Sequence, residues 1–266
     1  MKAIIFDLDD TLLWDKKSVA VAFKRTCEIA GGYYRSLDPK RLEKHVRKHA
    51  QDLYKTYEVY PFVKDIGIGT FEAFWGEFAE YETLHEIVPE FRKEAWTRGL
   101  EEVGIKDAKL GAMLAEVFPV ERKHHPFVYE ETFEVLEQLQ NKYALALLTN
   151  GSANLQREKL KLTPRLSSYF DHIVISGDFG TGKPNPAIFE YVLDLLSVRA
   201  DDAMMIGDNL HTDILGASRV KIPSVWINHH DQLQHNIEPT YEINRLRDLL
   251  QVIEKINENK FIQTKL

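Results

Sequence analysis

The chain has 266 residues, 44% of them hydrophobic, and a formal net charge of -7. This size suits one large domain or two smaller ones, and the negative balance argues against nucleic acid or an anionic membrane as partner. The single cysteine, Cys27, excludes an intrachain disulfide and a cysteine-based zinc site; we interpret it as a packing residue. One cysteine fits a reducing cytosol, so a cytoplasmic location is predicted. No run approaches the roughly 20 apolar residues needed to span a bilayer.

Short apolar runs that end in polar residues recur along the chain. They lie at 2–6, 144–148, 172–176, 203–206 and 224–227. Such runs without alternation are typical of strands buried on both faces. Helix-period segments, such as 133–139 and 188–196, separate the later runs. The pattern predicts an α/β fold with a Rossmann-like, doubly wound, mainly parallel sheet.

Residues 17–119 contain helical patterns and no convincing buried strand, which predicts an inserted all-helical domain. The core domain is then expected at 1–16 and 120–266. Proline at 39 and at 89 suits a first helical turn. An aromatic stripe is interpreted as core rather than as a ligand-stacking face; it comprises Phe71, Phe74, Trp75 and Phe78. The predicted helices span 19–30, 39–57, 70–84 and 89–103.

Polar side chains follow the predicted strands where each strand ends. In a parallel sheet these ends share one edge, where ligands bind. The candidates are Asp7, Asp9, Thr149, Asn150, Lys183, Asp208 and Asp213.

These side chains suit the hydrolysis of a phosphate ester. Carboxylates such as Asp7 and Asp208 are hard ligands of the kind that Mg²⁺ prefers, and Lys183 adds a fixed positive charge. Thr149 can donate a hydrogen bond to a phosphate oxygen. On a regular strand Asp7 and Asp9 would share a face, so one could attack while the other protonates the leaving oxygen.

Four segments together resemble the motifs of the haloacid dehalogenase-like hydrolases. They are Asp7-Leu8-Asp9-Asp10-Thr11-Leu12, Leu148-Thr149-Asn150-Gly151, the run from Gly182 to Phe189, and the run from Gly207 to Asp213. The resemblance covers roughly half of the chain. It implies a Rossmann-like core and a helical cap of the C1 type, inserted after the first motif.

The resemblance also implies a role for each site residue. Asp7 would be the nucleophile that forms an aspartyl-phosphate, and Asp9 the general acid and then the general base. Thr149 and Asn150 would bind phosphate, and Lys183 would hold the phosphoryl group and Asp7. Mg²⁺ would be held by the carboxylates of Asp7 and Asp208 and by the backbone carbonyl of Asp9. Asp213 would also belong to the metal site, acting through a bound water or by orienting its neighbours.

The predicted function is that of a Mg²⁺-dependent phosphatase acting on a small phosphorylated metabolite, a sugar phosphate or a nucleoside monophosphate. The chain is similar to the nucleotidase-like and N-acylneuraminate-9-phosphatase-like branch of the family. A phosphomutase of the β-phosphoglucomutase type would share all four motifs. A non-catalytic binding protein is disfavoured, because an idle site has no reason to keep clustered carboxylates. Asp9 disfavours the dehalogenase branch, which lacks an acid at that position.

Other polar and aromatic residues carry weaker signals. The pairs His124-His125 and His229-His230 are interpreted as loop histidines in solvent rather than as metal ligands. Trp14 and Asp15 follow the first motif and are compatible either with substrate contact or with a packed hinge.

Overall fold

The computed structural model describes residues 1–229 and 236–263, with side chains as far as residue 258. Within these ranges no helix is both long enough and apolar enough to cross a bilayer.

One sheet of six parallel strands forms the framework of the described chain, in the order β3-β2-β1-β4-β5-β6. Its strands are β1 (Ala3–Phe6), β2 (Ala144–Thr149), β3 (His172–Ile175), β4 (Ala203–Gly207), β5 (Ser224–Ile227) and β6 (Tyr241–Ile243). The first five coincide with the apolar runs, and the predicted α/β class is confirmed. The sequence pattern missed β6, because two of its three residues are exposed and it has no apolar run.

The strand order reverses beside β1, which pairs with β2 on one side and β4 on the other. Phe6, the last residue of β1, lies level with Leu147 and Ile206. The segments after β1, β2 and β4 therefore leave the sheet at the same edge, at the point where such sheets bind ligands.

Thirteen α-helices lie in the described ranges, some of a single turn. They are α1 (Asp15–Tyr33), α2 (Pro39–Tyr54), α3 (Tyr60–Ile66), α4 (Thr70–Ala73), α5 (Glu82–Glu102), α6 (Ala108–His124), α7 (Thr132–Leu139), α8 (Ala153–Leu162), α9 (Pro164–Ser167), α10 (Ser176–Phe179), α11 (Pro186–Leu196), α12 (Leu215–Arg219) and α13 (Leu249–Gln263). A π-helical turn spans Leu210–Ile214, and 3-10 turns span Ala200–Asp202 and Leu246–Asp248.

The predicted helix over 70–84 was wrong in extent. Helix α4 stops at Ala73, and the chain turns through Phe78, which has a left-handed φ of 50°. The buried Arg92 stabilises this turn, since its guanidinium donates to the carbonyl oxygens of Ala73 and Gly76. Because Arg92 satisfies these two carbonyl oxygens, they do not need the backbone N–H groups of a continued helix, and the helix can end there.

The expected helix start at Pro89 was also wrong, whereas Pro39 does lie in the first turn of α2. Helix α5 begins at Glu82 and contains Pro89 in its interior. The neighbouring side chains of Val88 and Phe91 are buried, and this packing outweighs the poor helix propensity of proline. Helices α3 and α6 had not been predicted.

The chain forms two compact units, and the predicted domain boundaries remain predictions. One unit contains residues 1–14, 128–150 and the described residues from 163 onward. Its core packs α11 side chains such as Phe189 and Val192 against Ile5 and Met205 of the sheet.

The other unit is helical and contains Asp15–Phe127 and Gly151–Leu162. Its core centres on Phe23, whose ring contacts those of Phe74, Trp96 and Phe118. Most of the predicted aromatic stripe is core: Phe74, Trp75 and Phe78 are almost fully buried, and Phe71 packs against them at partial burial. Cys27 is fully buried in the same core, as its interpretation as a packing residue requires.

Candidate active site

Lys183 lies at the centre of the polar cluster at the carboxyl edge of the sheet. Its side-chain nitrogen is 2.6 Å from Oδ1 of Asp7 and 2.6 Å from Oδ1 of Asp213. It also donates to the carbonyl oxygen of Leu148, at 2.8 Å. Lys183 is 4% exposed, Asp7 6% and Asp213 1%, so these charges are held away from bulk water. Against the effect of burial, the carboxylates of Asp213 and Asp7 raise the pKa of Lys183, which keeps it charged.

The carboxylates of Asp7, Asp208 and Asp213 lie together, with one oxygen of each within 4.8 Å of the others. Burial raises the pKa of Asp7 to about 6, against the opposing charge of Lys183. Burial also raises the pKa of Asp213, and the charge of Asp208 adds to this effect. Three carboxylates face one ammonium group, so negative charge is in excess. A divalent cation would neutralise that excess, and the donor set of hard oxygens fits one.

The segment from Gly207 to Asp213 places the Asp213 carboxylate beside Gly207, at the carboxyl end of β4. Oδ2 of Asp213 accepts from the backbone N–H of Asn209 at 3.1 Å, while its other oxygen faces Lys183. A Cβ at Gly207 would lie 2.3 Å from this carboxylate, so only glycine leaves room for it. With both oxygens engaged, Asp213 is arranged to hold Lys183.

Asn150 fixes the loop that carries Lys183. Its side-chain oxygen accepts from the backbone N–H of Lys183 at 2.8 Å, and its Nδ2 donates to the Lys183 carbonyl at 2.9 Å. A Cβ at Gly182 would come within 2.8 Å of the Asn150 amide, which accounts for the glycine before the lysine. Phosphate binding by Asn150 stays a prediction, and its side-chain amide is already engaged with this loop.

Thr149 and Asp9 lie at the same edge. Thr149 ends β2 and is nearly fully buried, with its hydroxyl 3.4 Å from the carbonyl oxygen of Asn150. Strand β1 stops at Phe6, so Asp9 lies in the loop that follows. The regular-strand alternation expected to place Asp7 and Asp9 on one face therefore does not apply. Asp10, with φ of 60°, turns this loop instead.

Sequence reasoning missed an aromatic stack beside this loop. The rings of Trp14 and Tyr129 stack with centroids 5.2 Å apart, and those of Tyr129 and His229 with centroids 4.6 Å apart. His229 is half-buried, so its interpretation as a solvent histidine was wrong; His230 lies outside the described residues. The available signal was position, because His229 follows β5 as the other site residues follow their strands.

The sequence model of the haloacid dehalogenase-like hydrolases matches residues 1–221, which include all seven candidate residues. The chain belongs to this family. In this hydrolase the four motifs follow the ends of strands, and their side chains come together at one edge of the sheet.

Relatives of this hydrolase include several phosphatases. It is 34% identical over 233 residues to a phosphoserine phosphatase of Thermus thermophilus, covering 86% of this chain and 89% of that protein. It is 28% identical to human N-acylneuraminate-9-phosphatase, covering 97% of this chain and 95% of that protein. Family and relatives together identify a hydrolase of phosphoric monoesters.

Solved structures share the fold of this hydrolase. The HAD-hydrolase YfnB of Bacillus subtilis superposes with a TM-score of 0.66 at 23% identity, covering 94% of this chain and 97% of that one. A 2-haloacid dehalogenase of Pseudomonas syringae superposes with a TM-score of 0.58 at 24% identity, covering 96% and 99%. At these identities the likeness concerns the fold.

Proposed function

We propose that this hydrolase removes phosphate from a small phosphorylated metabolite, with Asp7 as the nucleophile and Mg²⁺ as the metal. The observation that carries the proposal is the contact of buried Lys183 with both Asp7 and Asp213 beside Asp208. The charge of Lys183 opposes the effect of burial on the pKa of Asp7, which leaves this carboxylate mostly ionised at neutral pH and available to attack phosphorus. The same ammonium group offsets the charge of an incoming phosphate.

The carboxylates of Asp7 and Asp208 and the backbone carbonyl of Asp9 would hold Mg²⁺. When bound, the ion would neutralise negative charge on the phosphate and on these carboxylates. Asp7 attacks phosphorus while the ester bond breaks, and Asp9 donates its proton to the leaving oxygen. Asp9, now ionised, then takes a proton from the water that hydrolyses the aspartyl-phosphate. Thr149 binds the transferring phosphoryl group, and Asp213 holds Lys183 in place.

The substrate class is proposed from the phosphatase relatives together with the acid at position 9. The names of these relatives refer to small phosphorylated metabolites. They are phosphoserine, N-acylneuraminate 9-phosphate and, for a third relative from Pyrococcus abyssi, glyceraldehyde 3-phosphate. A sugar phosphate or a nucleoside monophosphate is the class expected from the sequence. A cytoplasmic location remains a prediction, based on the single buried cysteine.

A phosphate-release assay over a panel of these esters tests the proposal. We expect Mg²⁺-dependent turnover that chelation with EDTA abolishes. Asp7→Asn should lose at least about 10³-fold in kcat, because the amide cannot form the covalent intermediate. Asp178→Asn, a change of an exposed aspartate in α10, is the matched control and should retain turnover. Full turnover by Asp7→Asn would contradict the nucleophile assignment. Isomerisation of a hexose phosphate without release would favour a phosphomutase.

A further inference from the structure

The loop that carries Asp9 is held at two separate points within its own unit. The carbonyl oxygen of Leu12 accepts from the backbone N–H of Tyr129 at 3.1 Å and from the hydroxyl of Thr132 at 3.0 Å. The carbonyl oxygen of Asp10 lies 3.0 Å from Nε2 of His229. A carbonyl oxygen only accepts, so Nε2 carries the hydrogen and His229 is the donor.

The residues directly after Asp9 form a turn that contains both of these points, and Asp9 itself pairs with Leu13 in an isolated bridge across it. Asp10 has a left-handed φ of 60°, and its N–H donates to the carbonyl of Leu13 at 2.6 Å. The backbone N–H groups of Leu12 and Leu13 both donate to the carbonyl of Leu8. Aspartate tolerates a left-handed conformation better than most residues, but the conformation still has a cost, which external contacts offset. The His229 bond is made to this same residue.

The imidazole of His229 is itself held in orientation. Tyr129 stacks on it with the ring planes 12° apart, and Trp14 stacks on Tyr129 with the planes 13° apart. The backbone of Tyr129 binds the Leu12 carbonyl, so one residue joins the stack to the loop. Stacked rings of this kind restrict the position of the donor nitrogen.

We propose that His229 is a positioning residue, whose Nε2–H holds the Asp10 carbonyl and thereby orients Asp9 as the general acid. The inference rests on the proposed phosphatase function. In the step concerned, an oxygen of Asp7 bonds to phosphorus as the ester P–O bond breaks. The leaving oxygen receives the proton of the Asp9 carboxyl group, which becomes a carboxylate. His229 touches neither the phosphate nor the leaving oxygen in this scheme.

Two esters of nearly the same shape distinguish positioning of the acid from general damage. Phenyl phosphate releases a phenol with a pKa of about 10, whereas p-nitrophenyl phosphate releases a much weaker base that needs little protonation. We would measure kcat/KM for both esters, with Mg²⁺ present, in the wild type and in Asp9→Asn. Loss of the acid in Asp9→Asn should affect phenyl phosphate far more than the nitro ester.

Variants of His229 distinguish the effect of its hydrogen bond from the effect of its ring stacking. His229→Phe keeps the stacking and removes the donor, whereas His229→Gln keeps an amide donor at the position of Nε2. His229→Phe should lose roughly tenfold in kcat/KM for phenyl phosphate and less than about threefold for the nitro ester. His229→Gln should restore the wild-type ratio of the two values, and His229→Asn, which is shorter, should not.

His85→Ala is the matched control, because His85 also contacts a backbone carbonyl, that of Glu77, in the helical unit. It should leave both values unchanged. Equal losses on the two esters in His229→Phe, or no loss, would overturn the positioning role. Should His229→Phe not fold, equal ratios in the Gln and Asn variants would overturn it. A wild type that releases phosphate neither from these two esters nor from the metabolite panel would overturn the proposed function, and this inference with it.

Discussion

Lys183 shows how single residues create the chemistry of this site. It is a buried cation between two buried carboxylates, and Asn150 holds its backbone. A second buried lysine, Lys159, contacts Glu72 at 3.0 Å and Asp15 at 3.7 Å in the helical unit. Both lysines are 4% exposed. The two lysines are therefore equally buried and each contacts two carboxylates, but among the described residues the acidic cluster that suits a metal lies beside Lys183.

Lys183→Met and Lys159→Met form a matched pair of stability tests. Each should lose about 3 kcal/mol of unfolding free energy, because a partner charge stays buried without its cation. Thermal unfolding with and without Mg²⁺ separates them. Mg²⁺ should raise the midpoint of Lys183→Met by more than that of the wild type, since the ion replaces missing positive charge. An equal Mg²⁺ effect on the two variants would contradict a metal site beside Lys183.

The raised pKa of Asp7 predicts a pH dependence of metal binding. Its folded value of about 6 exceeds the ordinary 3.8, so the metal-free folded state binds more protons than the unfolded state between these values. Stability of the metal-free protein should therefore fall as pH rises through this window. Mg²⁺ needs the carboxylate, so its stabilising effect should grow as pH rises through about 6. Thermal shifts between about pH 5 and about pH 8 measure this, and Asp7→Asn should weaken the step.

At the scale of elements, helix α8 depends on a carboxylate that is distant in sequence. Glu80 accepts from the backbone N–H of Asn154 at 3.1 Å, from its Nδ2 at 2.7 Å, and from the hydroxyl of Ser152. A negative charge at this end also suits the helix dipole. Although partial burial opposes them, these hydrogen bonds hold the pKa of Glu80 below its usual range.

Glu80→Ala should destabilise the protein by about 1 kcal/mol, as the loss of an N-terminal cap does. Glu80→Gln should lose less, because its oxygen still accepts. The folded pKa is depressed, so the contribution of the charge is present above the ordinary value of 4.5 and is lost as pH falls below it. Denaturant unfolding at neutral and acidic pH checks this. A difference between wild type and Glu80→Gln that persists in acid would contradict the role of the charge.

The strands were more predictable than the helices for a physical reason. A strand buried on both faces must be apolar throughout, so its sequence is recognisable without its neighbours. The break between α4 and α5 depends instead on Arg92, whose guanidinium satisfies carbonyls 16 and 19 residues away. No local pattern contains that information. Strand β6 was missed because it is short and largely exposed.

At the scale of the whole molecule, each compact unit has its own apolar core. Phe118 packs on Phe23, Phe74 and Trp96 in the helical unit, whereas Phe189 belongs to the core beside the sheet. Both phenylalanines are fully buried. The two units can therefore be weakened separately.

Phe118→Ala should cost about 3–5 kcal/mol, the usual cost of a large cavity in a core. Hydrogen exchange measured by mass spectrometry should become faster mainly at 15–127 and 151–162. Phe189→Ala is the matched control and should speed exchange mainly in the unit with the sheet. Uniform acceleration in both variants would show that the units unfold together rather than separately.

The sequence by itself determined five of the six described sheet strands, the order of the motifs and the family. These features are local: apolar runs and short motifs are written in consecutive residues. Asp7, Asp208 and Lys183 could also be selected, because parallel strands bring their carboxyl ends to one edge. Only the tertiary structure decided that Asp213 faces Lys183, that Asn150 holds the lysine loop, and that His229 binds the Asp10 carbonyl. Each of these is a contact between distant segments, whose geometry depends on how the whole unit packs.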